Sequence, residues 1–252
     1  MTAFLAAYHN ELSKLFWRKK YIVFLVIGIL ICILWAVLGS FVSGFIGRQG
    51  GLFISLTPTP MGVLPFFLQM FLPLLIFMGV TDLITTEGTD KTMKAMIYRP
   101  VERWKLYMGK LLAVLTYVAI FLVCIFIVSM VLNQTLGRAL SGGEIFTAFA
   151  SYALTIPPLA VLVAFAALIA LFGRSGTLTM FVLVLAYMMM SVLPVVFPIF
   201  SELLFTSYLG WHRLWIGALP DASRLIHMLI IVLGYGVVFF TAGSLLFDRK
   251  EY

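Results

Sequence analysis

The chain has 252 residues, of which 63% are hydrophobic and only 11% are charged, and its mean hydropathy is +1.11. Soluble domains carry roughly 25% charged residues, so this composition excludes a soluble globular protein and indicates repeated membrane crossing. The formal net charge is +7.

The charged residues are bunched, and six long intervals between the bunches contain no Asp, Glu, Lys or Arg. A membrane-spanning helix needs about 20 apolar residues, and each interval can hold one. We therefore predict an all-α polytopic membrane protein, a single transmembrane domain over 1–252. Its six spans are expected at about 21–42, 63–80, 107–132, 145–172, 178–196 and 225–247.

The basic residues set the orientation of these spans. With a cytoplasmic N-terminus, thirteen Lys and Arg residues lie on the cytoplasmic side and only Arg48, Arg138, Arg213 and Arg224 lie outside. This positive-inside bias places both termini in the cytoplasm. Because topology accounts for the net charge, no nucleic-acid partner is needed to explain it.

Residues 1–20 precede the first span and have an amphipathic pattern. Apolar side chains recur at helical spacing at Phe4, Leu5, Tyr8, Leu12, Leu15 and Phe16. We expect a helix in the headgroup layer, anchored at its end by Trp17 and the basic residues 18–20. Packing of this helix on a soluble partner is the alternative.

The second span contains Gln69 and Pro73 and reaches Asp82 at its cytoplasmic end. A carboxylate at that depth is costly unless it is hydrated or paired. We expect a structural ion pair with an Arg or Lys of the following loop, in preference to a proton-relay role.

The stretch Leu140–Glu144 reads LSGGE, one side chain away from the LSGGQ signature of ABC-type ATPases. That signature works beside a phosphate-binding G-x-x-x-x-G-K-[ST] loop, which this sequence lacks. Ser141 and Glu144 have instead the spacing of a capping box, at the start of the fourth span. Within that span, Pro157 and Pro158 must break or kink the helix.

Candidates for the translocation path lie at membrane depth. The flexible side chains of Met188, Met189 and Met190 suit varied apolar ligands, although core and lipid-facing methionines are commoner. His227 in the last span has the alternative role of a hydrogen bond between helices. Together with Gln69 these residues form the candidate path. Cys32 and Cys124 fall in different spans and suggest neither a disulfide nor a metal site.

The segment 197–224 is too apolar for a free loop and too charged to cross the membrane. Two short helices dipping into the outer leaflet fit it, broken at Gly210 and ended by Pro220. Trp211 and Trp215 are then expected in the interfacial belt.

The loop 82–106 is the largest predicted cytoplasmic surface between spans. Thr89 is a suitable N-cap for a short helix that ends before Pro100. Met93, Met96 and Ile97 form one apolar edge of this helix. Such a helix at the membrane face suits docking to a partner; a simple solvated basic loop is the alternative.

The same loop carries a family resemblance. Glu87-Gly88-Thr89, a helical stretch, Arg99-Pro100-Val101-x-Arg103 and then Gly109-Lys110 resemble the second-to-third-span loop of ABC-2 type permeases of the type V exporter fold. Here Glu87 directly precedes Gly88, without the usual spacing. Glu102 replaces the small residue that the family has before the arginine. The order of the interfacial helix, the six spans and the hairpin before the last span extends the resemblance over the whole chain.

The resemblance implies a permease that works as a dimer with a second copy or a sister permease. Each copy binds a separate ABC ATPase subunit that holds ATP and Mg²⁺, so this chain needs no cofactor of its own. Residues 89–98 would be a coupling helix braced by Glu87 and Arg103. The expected ATPase-coupling residues are Glu87, Gly88, Thr89, Lys91, Met93, Lys94, Met96, Ile97, Arg99, Pro100 and Arg103.

We expect export of a hydrophobic or amphipathic molecule from a bacterial cytoplasmic membrane. No catalytic residue is assigned, because the spans offer no paired carboxylates and no histidine cluster for an intramembrane enzyme. A non-transporting scaffold or sensor coupled to an ABC ATPase is the other alternative.

Overall fold

The computed structural model of the chain describes residues 2–46, 59–89, 102–136, 140–215 and 222–250, and every regular element in these ranges is a helix. Numbered along the chain, the helices are α1 (Thr2–Trp17), α2 (Lys19–Ile46), α3 (60–89), α4 (Arg103–Thr135), α5 (Gly142–Leu154), α6 (Ile156–Ala170), α7 (Gly176–Val196) and α8 (Ala222–Arg249). Two 3-10 helices, Pro198–Ser201 and Phe205–Trp215, lie between α7 and α8 in the described part of the chain.

Among the described residues, six stretches of helix are long and apolar enough to cross a bilayer, which confirms the predicted number. They are Lys19–Gly39, Pro60–Thr86, Arg103–Thr135, Gly142–Ala170, Gly176–Val196 and Leu225–Arg249. The fourth stretch consists of two helices, α5 and α6, which meet at Thr155. The break falls just before Pro157 and Pro158, as the sequence indicated, because proline lacks the N–H group that a continuous helix needs.

Helix α3 contains two π-helical segments. Its α-helical parts, Pro60–Phe66, Leu72–Val80 and Glu87–Thr89, alternate with the π-helical segments Phe67–Phe71 and Thr81–Thr86. Single π-helical turns within α-helices are rare and occur frequently at functional sites. Both segments lie beside features described below, an ion cluster and a cavity.

The predicted second span ended at 80, but the helix continues through polar residues to Thr89. Their hydroxyl groups are satisfied inside the bundle. Thr81 Oγ1 donates to the Phe77 carbonyl at 2.8 Å, and Thr85 Oγ1 donates to the Ala170 carbonyl at 2.9 Å. Polar side chains that find internal acceptors do not require the helix to end at the membrane surface.

Helix α3 is the centre of the bundle and α8 lies at its periphery. Within the most apolar 18-residue stretch of each span, 72% is buried inside the protein for α3, compared with 6% for α8. Leu72, Leu75 and Ile76 of α3 are fully buried, and α3 packs against α4, α6 and α7. Helix α8 contacts α4 and α6.

The two ends of the bundle differ in chemistry. One end, here called the basic end, contains α1, Glu87, the start of α4 and the C-terminal end of α8. It is the end that the positive-inside pattern assigns to the cytoplasm. The opposite end contains Pro60, the start of α5 and the two 3-10 helices, and the Tyr152 hydroxyl donates there to the Pro60 carbonyl at 2.9 Å.

The capping box at the LSGGE stretch is confirmed. The Ser141 hydroxyl accepts from the Glu144 backbone N–H at 3.4 Å, and the Ser141 backbone N–H donates to the Glu144 carboxylate at 2.7 Å. These five residues therefore begin a helix.

Two expectations for 197–224 were wrong. Gly210 does not break a helix but lies inside the second 3-10 helix, and Trp211 is buried instead of lying in an interfacial belt. The Trp211 indole N–H donates to the Leu154 carbonyl at the end of α5. The segment thus caps an orphan carbonyl at the α5–α6 break. Pro220 and the side chain of Trp215 lie outside the described part.

Helices α2 and α4 approach closely at Gly28. A Cβ atom added there would lie 2.5 Å from Cζ of Phe121, whose ring is stacked on Phe71 and fully buried. We expect Gly28→Leu to lower the thermal unfolding temperature, since overpacking a well-packed core costs about 1–3 kcal/mol. Gly234→Leu is the control because Gly234 has open space around it. Equal unfolding temperatures in the two variants would contradict this packing.

Candidate functional site

A buried ion cluster lies at the basic end. The Lys110 ammonium contacts the Glu11 carboxylate at 3.0 Å and the Glu87 carboxylate at 2.6 Å. Lys14 bridges the other oxygens of the same two carboxylates, at 2.9 Å each. Lys110, Glu11 and Glu87 are 1%, 2% and 6% exposed. The four side chains are here called the Lys110 cluster.

Three separate elements contribute to the Lys110 cluster. Glu11 and Lys14 lie one turn apart on α1, Glu87 lies at the end of α3, and Lys110 lies in the second turn of α4. A buried ion costs several kcal/mol, and removing one member of a buried pair typically costs 3–5 kcal/mol. The cluster therefore holds α1, α3 and α4 in one arrangement.

The carboxylate of Glu87, one residue beyond the second span, stays ionised. Burial raises the pKa of Glu87. The ammonium groups of Lys110 and Lys14 lower it by a larger amount, so the pKa lies below its ordinary value. Because the pKa is lower in the folded protein than in the unfolded chain, the ionised carboxylate stabilises the fold. This stability is fully present at a pH above the pKa of the unfolded chain, which is about 4.3 for Glu. This stability is lost as the pH falls through the folded pKa.

Asp82 forms a second charged group beside the first. Its carboxylate contacts Lys20 at 2.6 Å and Arg18 at 3.0 Å, and it accepts from the Tyr21 hydroxyl at 2.7 Å. The expected ion pair is confirmed, but its described partners come from the start of α2 and the bend just before it, and not from the following loop. The bend at Arg18 between α1 and α2 brings these residues alongside α3.

The packing of α1 differs from a simple interfacial helix. Its inner face carries the buried Glu11 and Leu15, and the Tyr8 hydroxyl lies 2.8 Å from Thr116 Oγ1 of α4. Leu5 and Trp17 are 58% and 87% exposed, so an apolar surface remains available to lipid. The amphipathic pattern did not reveal that Glu11 faces inward, because its partners lie on α3 and α4.

The loop between α3 and α4 is attached to the bundle where it leaves and where it returns. It leaves at Glu87, in the Lys110 cluster. It returns at Arg103, whose Nη1 donates to the Asp248 carbonyl at the end of α8 at 2.6 Å. Gly88 and Thr89 complete α3. The remaining candidate coupling residues, Lys91, Met93, Lys94, Met96, Ile97, Arg99 and Pro100, lie outside the described residues.

A cavity of about 820 Å³ opens at the opposite end. Its wall combines Gln69 in the first π-helical segment of α3, the last three turns of α7 and the second 3-10 helix. Apolar and polar side chains line it, including Gln69, Met188, Val192, Glu202, Thr206 and Arg213. The Tyr187 hydroxyl donates to the Gln69 carbonyl at 2.9 Å and joins α7 to the π-helical segment.

The structure brings together two of the five candidate path residues, Gln69 and Met188, in this cavity. Met189 is 74% exposed on another face of α7. Met190 packs against the core. His227 is exposed on α8 and is not part of the cavity wall.

The fold and the two sites define a multi-pass helical membrane protein with an anchored loop at one end and a cavity at the other. The chain belongs to the ABC-2 family of transporter proteins, because the model for "ABC-2 family transporter protein" matches residues 9–191. It is therefore a membrane component of an ABC transporter and not itself a catalytic enzyme, and this family pairs with ABC ATPases. No curated protein matches the chain.

The energetic role of Lys110 can be tested by substitution. Lys110→Met leaves two buried carboxylates sharing one fewer ammonium, so we expect a loss of about 3–5 kcal/mol and a lower thermal unfolding temperature in detergent. Lys105→Met is the matched control, because Lys105 pairs with Glu102, which is 60% exposed. An exposed pair contributes about 0–1 kcal/mol. The cluster has no structural role if both variants unfold at the wild-type temperature.

Proposed function

We propose that the chain is the permease subunit of an ATP-driven exporter, powered by a separate ATPase that docks at the basic end. The observation that carries this proposal is the anchoring of the loop at Glu87 and Arg103. A push on the loop is passed directly to α1 and α4 through the Lys110 cluster, and to α8 through the Asp248 carbonyl. The loop is thus placed to bias the spans between two conformations.

In this proposal, residues 89–98 form the coupling helix. Its apolar edge, Met93, Met96 and Ile97, enters a cleft of the ATPase, while the basic residues Lys91, Lys94 and Arg99 contact the rim of that cleft. Interfaces commonly have this arrangement of an apolar centre and a polar rim. ATP and Mg²⁺ are held by the ATPase.

We infer that the cavity at the opposite end belongs to the translocation path. Its wall mixes apolar side chains with a carboxylate, a guanidinium and an amide, which suits a hydrophobic or amphipathic substrate such as a peptide antibiotic, a drug or a lipid-like molecule. The partner across this path is a second copy of the chain or a sister permease. The membrane is the bacterial cytoplasmic membrane.

The docking site can be tested with charge substitutions in the loop. We expect Met93→Glu combined with Met96→Glu to weaken copurification of the ATPase with the tagged chain by about thirtyfold or more, the loss that follows from one buried hot-spot residue. Ala95→Glu adds the same kind of charge on the opposite face of the coupling helix, since position 95 lies about 100° or more around the helix from Met93, Met96 and Ile97, and it is expected to retain the ATPase. ATP hydrolysis should be absent from the chain purified alone.

Two results would overturn the proposal. One is ATP hydrolysis by the purified chain without another polypeptide. The other is undiminished ATPase binding by the double variant. Transport into inverted vesicles with and without ATP separates an exporter from a sensor coupled to an ATPase, since a sensor binds the ATPase but moves no substrate.

A further inference from the structure

A groove of about 380 Å³ lies between α4, α6 and α8, on the periphery of the bundle. Every side chain that lines it is apolar. Small residues, Ala160, Ala164 and Gly236, leave the space, and the flanking Leu233 and Val237 are 62% and 61% exposed. The groove therefore opens to the membrane, where its apolar wall selects a hydrocarbon and not water.

The size of the groove favours a flexible chain over a transmembrane helix. Along α4 it extends from Met108 to Leu115, a rise of about 10 Å at 1.5 Å per residue. A transmembrane helix from another protein would need a much longer groove, since it would make contacts over much of the bilayer core, which is about 30 Å thick. Its volume falls at the lower end of the range for small-ligand sites, roughly 300–1,000 Å³.

The end of the groove nearest the basic end leads to polar anchors. Trp104 lies one turn before Met108 on the same face of α4 and is 45% exposed. The Lys105 ammonium lies 5.4 Å from the Trp104 ring centre and pairs with the exposed Glu102 at 3.0 Å. Arg103, in the same first turn of α4, donates to the Asp248 carbonyl at the end of α8. Exposed indoles anchor at the headgroup level, and basic sites between transmembrane helices bind anionic headgroups.

We propose that this groove binds one acyl chain of an anionic glycerophospholipid, whose phosphate lies at Lys105. An exposed pair such as Lys105–Glu102 is weak, so a phosphate can compete with the Glu102 carboxylate. This site does not depend on the proposed transport function, because lipid binding requires neither the ATPase nor a substrate.

Two glycines of α8, Gly234 and Gly236, provide a matched pair of variants because one residue separates them and they lie on different faces of the helix. A Cβ added at Gly236 reaches ordinary contact with Val161 at 3.5 Å, whereas Gly234 has open space around it. Gly236→Leu therefore fills the groove and Gly234→Leu does not. Native mass spectrometry of the full chain with phosphatidylglycerol should show retained lipid falling about tenfold in Gly236→Leu, as expected when about two CH₂ groups are excluded. Gly234→Leu should match the wild type.

Headgroup selection is tested separately. In competition between phosphatidylglycerol and phosphatidylcholine, Lys105→Met should reduce the preference for the anionic lipid about fivefold, the effect of one basic residue at a membrane surface. Equal retention in both glycine variants, or no preference for the anionic lipid in the wild type, would overturn the proposal. So would efficient cross-linking of Leu233→Cys to another polypeptide in the native membrane, since a protein would then occupy the groove.

Discussion

The arrangement of helices at the basic end depends on the ion pairs between the buried Lys110 ammonium and the carboxylates of Glu11 and Glu87. A lysine in the second turn of a membrane-spanning helix is tolerated only if partners are supplied, and here they come from the end of α3 and from α1. The N-terminal helix is consequently held against α4 by buried charge as well as by apolar packing. Lys14 contacts the same two carboxylates, and a separate charged group around Asp82 joins α3 to Arg18 and Lys20 at the bend before α2 and at its start.

The same network gives the loop between α3 and α4 its mechanical position. Glu87 is at once a member of the Lys110 cluster and the residue from which the loop departs. Buried charges have few alternative partners, so the arrangement is stiff and a displacement of the loop must move whole helices. At the opposite end, the π-helical segment around Gln69 and the 3-10 helices form an open cavity. In the proposed mechanism, the charged network at the basic end receives the motion of the ATPase and the cavity at the opposite end takes the substrate.

Features that depend on nearby residues were predictable from the sequence. The six spans followed from charge-free intervals, the α5–α6 break from Pro157 and Pro158, and the helix start from Ser141 and Glu144. Each is decided by the period of the helix or by residues three or four positions apart. The family to which the loop pointed is likewise confirmed by the family match over residues 9–191.

Features that depend on distant parts of the chain were not predictable. Glu11 is buried because Lys110, 99 positions away, lies opposite it. Asp82 is paired with Lys20 and Arg18 because α1 turns into α2 at that point. Gly210 stays helical because the 3-10 helix packs on α5 and α6, which outweighs the low helix propensity of glycine. A signal was present in Lys110, a charge directly before an interval without charge, but its partners could not be named from spacing.

We propose that the Lys110 cluster transmits ATPase motion to the cavity. Replacing Glu11, Lys14, Glu87 and Lys110 together with methionine tests this proposal, because the replacement leaves no member of the cluster as an unmatched buried charge. In a background with Cys32 and Cys124 changed to alanine, Met188→Cys reports access to the cavity through its rate of modification by a membrane-impermeant maleimide. We predict that ATP changes this rate in the complex with the intact cluster and has no effect in the methionine variant, although the ATPase remains bound. The same ATP-dependent change in both complexes would contradict the account.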